Sequence, residues 1–275
     1  MDFLGKLDAA SRARESVLCV CLDPDPSRIP ETLGRGPQAV LRFNRRIIRA
    51  TSEFAAAFKL NLAFYEQLGA AAMDVLTLTL QAIPNDIPVI ADAKRGDVPN
   101  TAEAYGRAFF DVLHFDAMTV NPYLGLDSVS PFVSAQRYAF AVVRTSNPGA
   151  RDFQDLRVEG GMLLYETVAQ RLEDAVPPQR LGFVVGATYP KDARRLRALA
   201  PDRLFLLPGV GVQGGSIATT VEAAVDARGY GVLPAVARDI LYASTGLDFA
   251  DAAARRARDL RDLANEARRR VPASG

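Results

Sequence analysis

The stretch "ADAKRGDVPNTA" (91–102) sets two aspartates and two cations within six positions, directly after the apolar run "IPVI". Charges at the end of an apolar strand are costly unless they are paired or hydrogen-bonded. Asp92 and Lys94 stand two apart, so on a strand they project to one face, the face of Ile90. Asp97 follows past Gly96, in the bend toward a helix whose N-cap is expected at Asn100, with Glu103 completing a capping box. Lys59 ends another apolar run, "AAAFKLN" (55–61), and reaches the same place if the two runs are neighbouring strands. The set reads as an alternating array of Lys59, Asp92, Lys94 and Asp97. Like charges about 4 Å apart repel by roughly 4 kcal/mol at an effective dielectric of about 20. Alternation relieves that repulsion, but a substrate carboxylate brought beside Asp92 would feel it in full. Such an array suits a reaction in which an anionic group leaves carbon and a proton from Lys94 takes its place. The competing reading is a salt-bridge network that only neutralises itself.

A second set points to phosphate. "PGVGVQGGS" (208–216) follows an apolar run, and its glycines let backbone N–H groups approach an anion at the start of the next helix. Gln213 lies within it, Pro208 opens it, and Arg238 ends the run that follows.

These residues need a scaffold that brings them to one place. Eight short, near-continuous apolar runs recur along the chain, at 16–23, 55–61, 87–94, 116–123, 138–146, 181–188, 203–211 and 231–238. Runs of this kind suit parallel strands covered on both faces. Amphipathic helical stretches such as "AVLRFNRRIIRATSEF" and "GMLLYETVAQRLEDA" lie between them, and "DFADAAARRARDLRDLANEARRR" would close a ring against the first strand. The pattern predicts a single-domain (β/α)8 TIM barrel over 1–275, with residues 1–15 as an N-terminal capping helix across its bottom. A doubly wound open sheet is the alternative, because periodicity does not see closure. In a barrel, the C-terminal strand ends face the active-site mouth. Here those ends carry Asp23, Lys59, Asn61, Asp92, Lys94, Asn121, Ser146, Gln213 and Arg238.

These residues resemble those of the orotidine 5′-phosphate decarboxylase family, over nearly the whole chain. The family's Asp-x-Lys-x-x-Asp signature on the third strand is matched by Asp92, Lys94 and Asp97. "DAKRGDVPNTA", "FKLNLAFYEQLG" and "TSNPGA" are most similar to its longer bacterial branch. The resemblance implies that Lys94 protonates C6 as carbon dioxide departs, that Asp92 lies against the substrate carboxylate, and that Lys59 holds Asp92 and a ribose hydroxyl. It implies that Asp23 binds the ribose, that Ser146 hydrogen-bonds the pyrimidine, and that Gln213 and Arg238 contact the phosphate. Asn61 and Pro208 are expected to join the substrate site. Asp97 and Thr101 would complete the site of the partner subunit in a homodimer with shared active sites. Ala237 stands where a glycine or serine is common in the family, and its N–H can still donate to phosphate. "NPGARDFQ" (147–154) is expected to form part of a lid.

No cofactor and no metal are implied. The Mg-dependent sugar-phosphate decarboxylases and aldolases of the same superfamily share the third-strand pattern but place a metal-binding glutamate on the second strand. Lys59 is a cation where magnesium would need an oxygen ligand. A Schiff-base lysine is disfavoured because flanking carboxylates keep Lys94 protonated. A non-catalytic nucleotide-phosphate-binding barrel would keep the glycine loop and Arg238 but not the charge array.

A formal net charge of +1 provides no field that recruits nucleic acid or an acidic membrane. No apolar run reaches the roughly 18 residues a membrane span needs, and "MDFLGKLDAASRARES" lacks a signal-peptide core, so a cytoplasmic protein is expected. Cys19 and Cys21 read as small apolar core residues, and the single His114 as structural.

Overall fold

The computed structural model describes residues 1–133, 136–211 and 216–270. Eight parallel strands close into a barrel in chain order. They are β1 (Cys19–Cys21), β2 (Ala57–Asn61), β3 (Val89–Arg95), β4 (Ala117–Val120), β5 (Tyr138–Arg144), β6 (Leu181–Val185), β7 (Phe205–Pro208) and β8 (Val232–Val236). Each lies within its predicted apolar run, except that β3 continues one residue further, to Arg95. Pairing of Cys19 with Ala235 joins β1 to β8 and excludes the open doubly wound sheet.

Strand alternation divides the side chains into two cores. Cys19, Cys21, Ala57, Ile90, Phe140 and Leu206 pack inside the barrel, whereas Val20, Phe58, Ala91 and Met118 pack outward beneath the helices. Both cysteines are free and buried. Helix α1 (Phe3–Arg14) sends Phe3 and Leu7 into the inner core, where the Phe3 ring lies 4.7 Å from that of Tyr138 and 5.7 Å from that of Phe140.

The outer layer follows from amphipathic patterning. Helix α2 (Pro37–Thr51) buries Val40, Phe43 and Ile47, and Phe43 stacks 5.2 Å from Phe249 of the last helix, α3 (Phe249–Arg269), closing the ring of helices. One expectation needs correction. The helix after β3 runs Pro99–Gly106 with Val98 as N-cap, so Asn100 does not cap it. Pro99 at the first turn lacks the N–H that a helix start leaves unpaired, which lets the helix begin before Asn100. Glu103 is thereby released from capping and pairs with Arg137 at 3.0 Å. After β4, the described residues form short turns of helix, Pro122–Leu124, Leu126–Val129 and Ser130–Phe132.

Candidate active site

The C-terminal strand ends open on a cavity of about 600 Å³. Its floor is built by register. Lys59 pairs with Cys21 on one side and Ile90 on the other, and Asn61 pairs with Asp92, so the Lys59 and Asp92 side chains converge from neighbouring strands. Lys59 Nζ donates to Asp92 Oδ2 at 2.7 Å and lies 3.7 Å from Asp23 Oδ1. Lys94 Nζ donates to Asp92 Oδ1 at 2.6 Å. The Asn61 N–H donates to Asp23 Oδ1 at 3.3 Å.

Lys94 lies within β3 but departs from its extended backbone. Its φ is +48°, in the left-handed region, and the β3–β4 register shifts between Ala91 and Arg95. A lysine held there is strained, and such strain persists only where the surroundings over-determine it. Thr119 of β4 supplies part of that constraint. The Lys94 N–H donates to Thr119 Oγ1 at 2.9 Å, and Thr119 Oγ1 donates to Asp92 Oδ1 at 3.0 Å. Gly96 acts through close approach rather than through unusual torsion: a Cβ there would lie 2.5 Å from the Asn121 carbonyl oxygen.

Burial and pairing set the charges. Burial works against ionising Asp92, but Lys59 and Lys94 outweigh it and hold the carboxyl well below its usual range. Burial likewise opposes the charge on Lys59, yet Asp23 and Asp92 keep its pKa well above that of an ordinary lysine. Asp23 moves upward because burial exceeds the help from Lys59. The two lysines differ in access: the Lys59 side chain is 4% exposed and that of Lys94 48%. One is a fixed charge within the wall; the other opens on the cavity.

Asn61, Ser146, Pro208 and Arg238 line the same cavity. Ser146 sits on a tightly held segment. The Thr145 N–H donates to Gln154 Oε1 at 3.0 Å, Gln154 Nε2 donates to Thr145 Oγ1 at 2.8 Å, and Thr188 Oγ1 donates to the Ser146 carbonyl at 3.1 Å. Just before it, the buried Arg144 pairs with Asp155 at 2.6 Å and Asp192 at 2.9 Å, and its guanidinium lies 4.6 Å from the Tyr189 ring centroid. Asp97 and Thr101 do not line their own chain's cavity, and Asp97 Oδ1 accepts the Val98 N–H at 2.7 Å. Gln213 lies outside the described residues. Sequence reasoning did not single out Thr119, Arg28 or Tyr242, all of which line the cavity. The threonine looked like any other β-branched strand residue, and only the register places it against Asp92.

Residues 16–253 match the orotidine 5′-phosphate decarboxylase / HUMPS family. A protein of Dehalococcoides mccartyi named orotidine 5′-phosphate decarboxylase is 44% identical over 274 residues, covering 98% of this chain and all of that protein. One of the same name from Thermomicrobium roseum is 45% identical over 276 residues, with 98% of each covered. The chain belongs to the orotidine 5′-phosphate decarboxylase family. Leishmania donovani OMP decarboxylase superposes with a TM-score of 0.85 at 37% identity, over 98% of this chain and 99% of that one. Leishmania donovani UMP synthase superposes with a TM-score of 0.85 at 38% identity, and there the match covers 96% of this chain but 57% of the synthase. The activity is decarboxylation of orotidine 5′-phosphate to uridine 5′-phosphate and carbon dioxide, a carboxy-lyase step of pyrimidine synthesis. In this cavity, Lys59 stands between Asp23 and Asp92, so the chain itself supplies the positive charge that two converging carboxylates require.

Gly186 tests how closely the Ser146 segment must be held. A Cβ there would meet Ser146 N at 2.7 Å and the Thr145 carbonyl carbon at 2.8 Å, both backbone atoms that cannot swing away. Gly186→Ala is expected to lower kcat/KM for orotidine 5′-phosphate by about ten- to a hundred-fold through displacement of the Ser146 segment. Steady-state kinetics beside a thermal melt check this, and a variant within twofold of wild type would show that the segment tolerates the shift.

Proposed function

We propose that the buried Asp92 carboxylate, held between the Lys59 and Lys94 ammonium groups, is the electrostatic device that drives decarboxylation. The observation that carries this reading is the pair of short contacts, 2.7 Å and 2.6 Å, to the two oxygens of one carboxylate. Asp23, Lys59, Asp92 and Lys94 sum to zero charge. A substrate carboxylate seated beside Asp92 leaves the cluster one charge in excess of anion, and cleavage moves that negative charge away from Asp92 onto C6, beside the Lys94 ammonium. The carbon–carbon bond breaks, its electron pair stays on C6 in the plane of the ring, and the pair takes a proton from Lys94 Nζ. Lys94 is left neutral and regains its proton from water. No ring enolate forms, so stabilisation falls to preorganised charge in a site that excludes water.

The other roles follow the shape of the cavity. Asp23 and Asn61 lie at the ends of β1 and β2 beside Lys59, where they would take the ribose. Ser146 would hydrogen-bond the pyrimidine, Gln213 and Arg238 would hold the phosphate, and Pro208 would line the substrate site. Binding there, far from C6, can be expressed at the transition state through closure. No cofactor enters this scheme. Asp97 and Thr101 would serve the partner of a homodimer. That reading is supported by their position outside their own cavity and by exposed apolar side chains nearby in the chain and on the next loop, Val98 at 51%, Tyr123 at 87% and Leu124 at 51%. Among the described residues no helix is long and apolar enough to cross a membrane, and a cytoplasmic enzyme working without nucleic acid or lipid accords with the near-neutral charge.

Lys94→Ala is expected to lower kcat by at least about a hundred-fold, the lower range for loss of a positioned proton donor, while affinity for uridine 5′-monophosphate is largely kept. Retention of more than about a hundredth of the wild-type rate would remove Lys94 from the proton-donor role. A subunit-mixing assay tests the shared site. Lys94→Ala and Asp97→Ala chains, each inactive alone, should recover up to about a quarter of wild-type activity, since half of the randomly formed dimers carry one intact site. Absence of recovery despite demonstrated subunit exchange would place Asp97 in its own chain's chemistry.

A further inference from the structure

The cavity carries a second arginine besides Arg238. Arg28 ends the first of two 3-10 turns that follow β1, Pro26–Arg28, and Arg238 follows β8, the strand that pairs with β1. Both line the active-site cavity, and with Tyr242 both also line a smaller adjoining one of about 350 Å³. The Arg28 guanidinium carbon lies over the Tyr242 ring, 3.8 Å from its centroid. Tyr242 is tied to the same loop, its hydroxyl accepting the Asp25 N–H at 2.6 Å.

The nearby carboxylates are engaged elsewhere. Asp25 caps its own turn, accepting the Ser27 N–H at 2.9 Å and the Ser27 hydroxyl at 2.7 Å. Asp239 accepts from Arg256 at 3.0 Å. Among the described residues, neither Arg28 nor Arg238 makes an ion pair. Asp23, Asp25, Asp92 and Asp239 line the same cavity, but each already accepts a hydrogen bond from another group, so both guanidinium groups keep donors for an arriving anion. The contact with the Tyr242 ring holds the Arg28 guanidinium at the cavity wall, with N–H donors for oxygen acceptors. A phosphate monoester near neutral pH carries about 1.5 to 2 negative charges, more than one arginine offsets.

We propose that Arg28 is the second cation of the phosphate site, a specificity-determining residue that engages the dianion from the β1 loop, with Tyr242 as its platform. This rests on the reading that Arg238 marks the phosphate end of the cavity. The substrate then bridges two loops on neighbouring strands, and its phosphate draws the β1 loop, which also carries Asp23 at its start, onto the bound ribose.

The test compares uridine 5′-monophosphate with uridine as competitive inhibitors of wild type, Arg28→Ala, Arg28→Lys and Arg238→Ala. Arg28→Ala is expected to weaken inhibition by the monophosphate by about ten- to a hundred-fold, the scale of a lost charge-assisted hydrogen bond, and to leave uridine within about twofold. Arg28→Lys, which keeps the charge but not the fork, should fall between. Tyr242→Leu should weaken the monophosphate too, and add little in the Arg28→Ala background. Equal loss for both inhibitors would reduce Arg28 to a loop-positioning residue and overturn the proposal, as would an unchanged monophosphate. If Arg238→Ala discriminates the two inhibitors and Arg28→Ala does not, the phosphate end stands and the role of Arg28 falls. If neither discriminates, the phosphate lies elsewhere and both readings fall.

Discussion

One carboxylate governs this structure. Asp92 is buried at the mouth of a barrel, takes hydrogen bonds from two ammonium groups and a threonine hydroxyl, and stays ionised where burial alone would neutralise it. Removing either lysine would leave a buried charge without adequate compensation, a state that is costly inside proteins. The cluster is therefore mutually dependent: Lys59 needs Asp23 and Asp92 to remain charged, and Asp92 needs both lysines. A substrate carboxylate placed against this cluster meets a negative charge that cannot move away and cannot be protonated near neutral pH.

The fold's contribution is to make those positions rigid. Parallel strands deliver Lys59, Asp92 and Thr119 in fixed register, and the strained Lys94 backbone is pinned through Thr119 to the same carboxylate. On the far side of the cavity, rigidity comes from another device. Arg144 is sandwiched among Asp155, Asp192 and the Tyr189 ring, Gln154 grips Thr145 twice, and glycine at position 186 lets the Ser146 backbone pass closely. Arg28 and Arg238, by contrast, make no ion pair among the described residues, and Arg28 packs against the Tyr242 ring.

How much of this was legible beforehand varied with the kind of information required. The eight strands were readable because parallel strands buried on both faces leave near-continuous apolar runs, and every one of those runs contains its strand apart from the last residue of β3. The Lys59, Asp92 and Lys94 cluster was readable from charge placed at strand ends. The left-handed turn at Lys94 was not, because no local residue announces it; it is imposed by the neighbouring strand. Asn100 had the composition of a helix cap, but Pro99 started the helix before it. Thr119 and Arg28 act through partners distant in sequence, Asp92 and Tyr242, so spacing along the chain carries no trace of either pairing.

If the ionised charge of Asp92 is what the site depends on, removing that charge while keeping its shape is the most direct challenge. The measurement is the loss of orotate absorbance after orotidine 5′-phosphate is added to Asp92→Asn enzyme with a chelator present, beside binding of uridine 5′-monophosphate. The account predicts that kcat falls by at least about a hundred-fold, roughly 2.7 kcal/mol of transition-state stabilisation, while product affinity stays within about threefold. An Asp92→Asn enzyme turning over within about tenfold of wild type would contradict it.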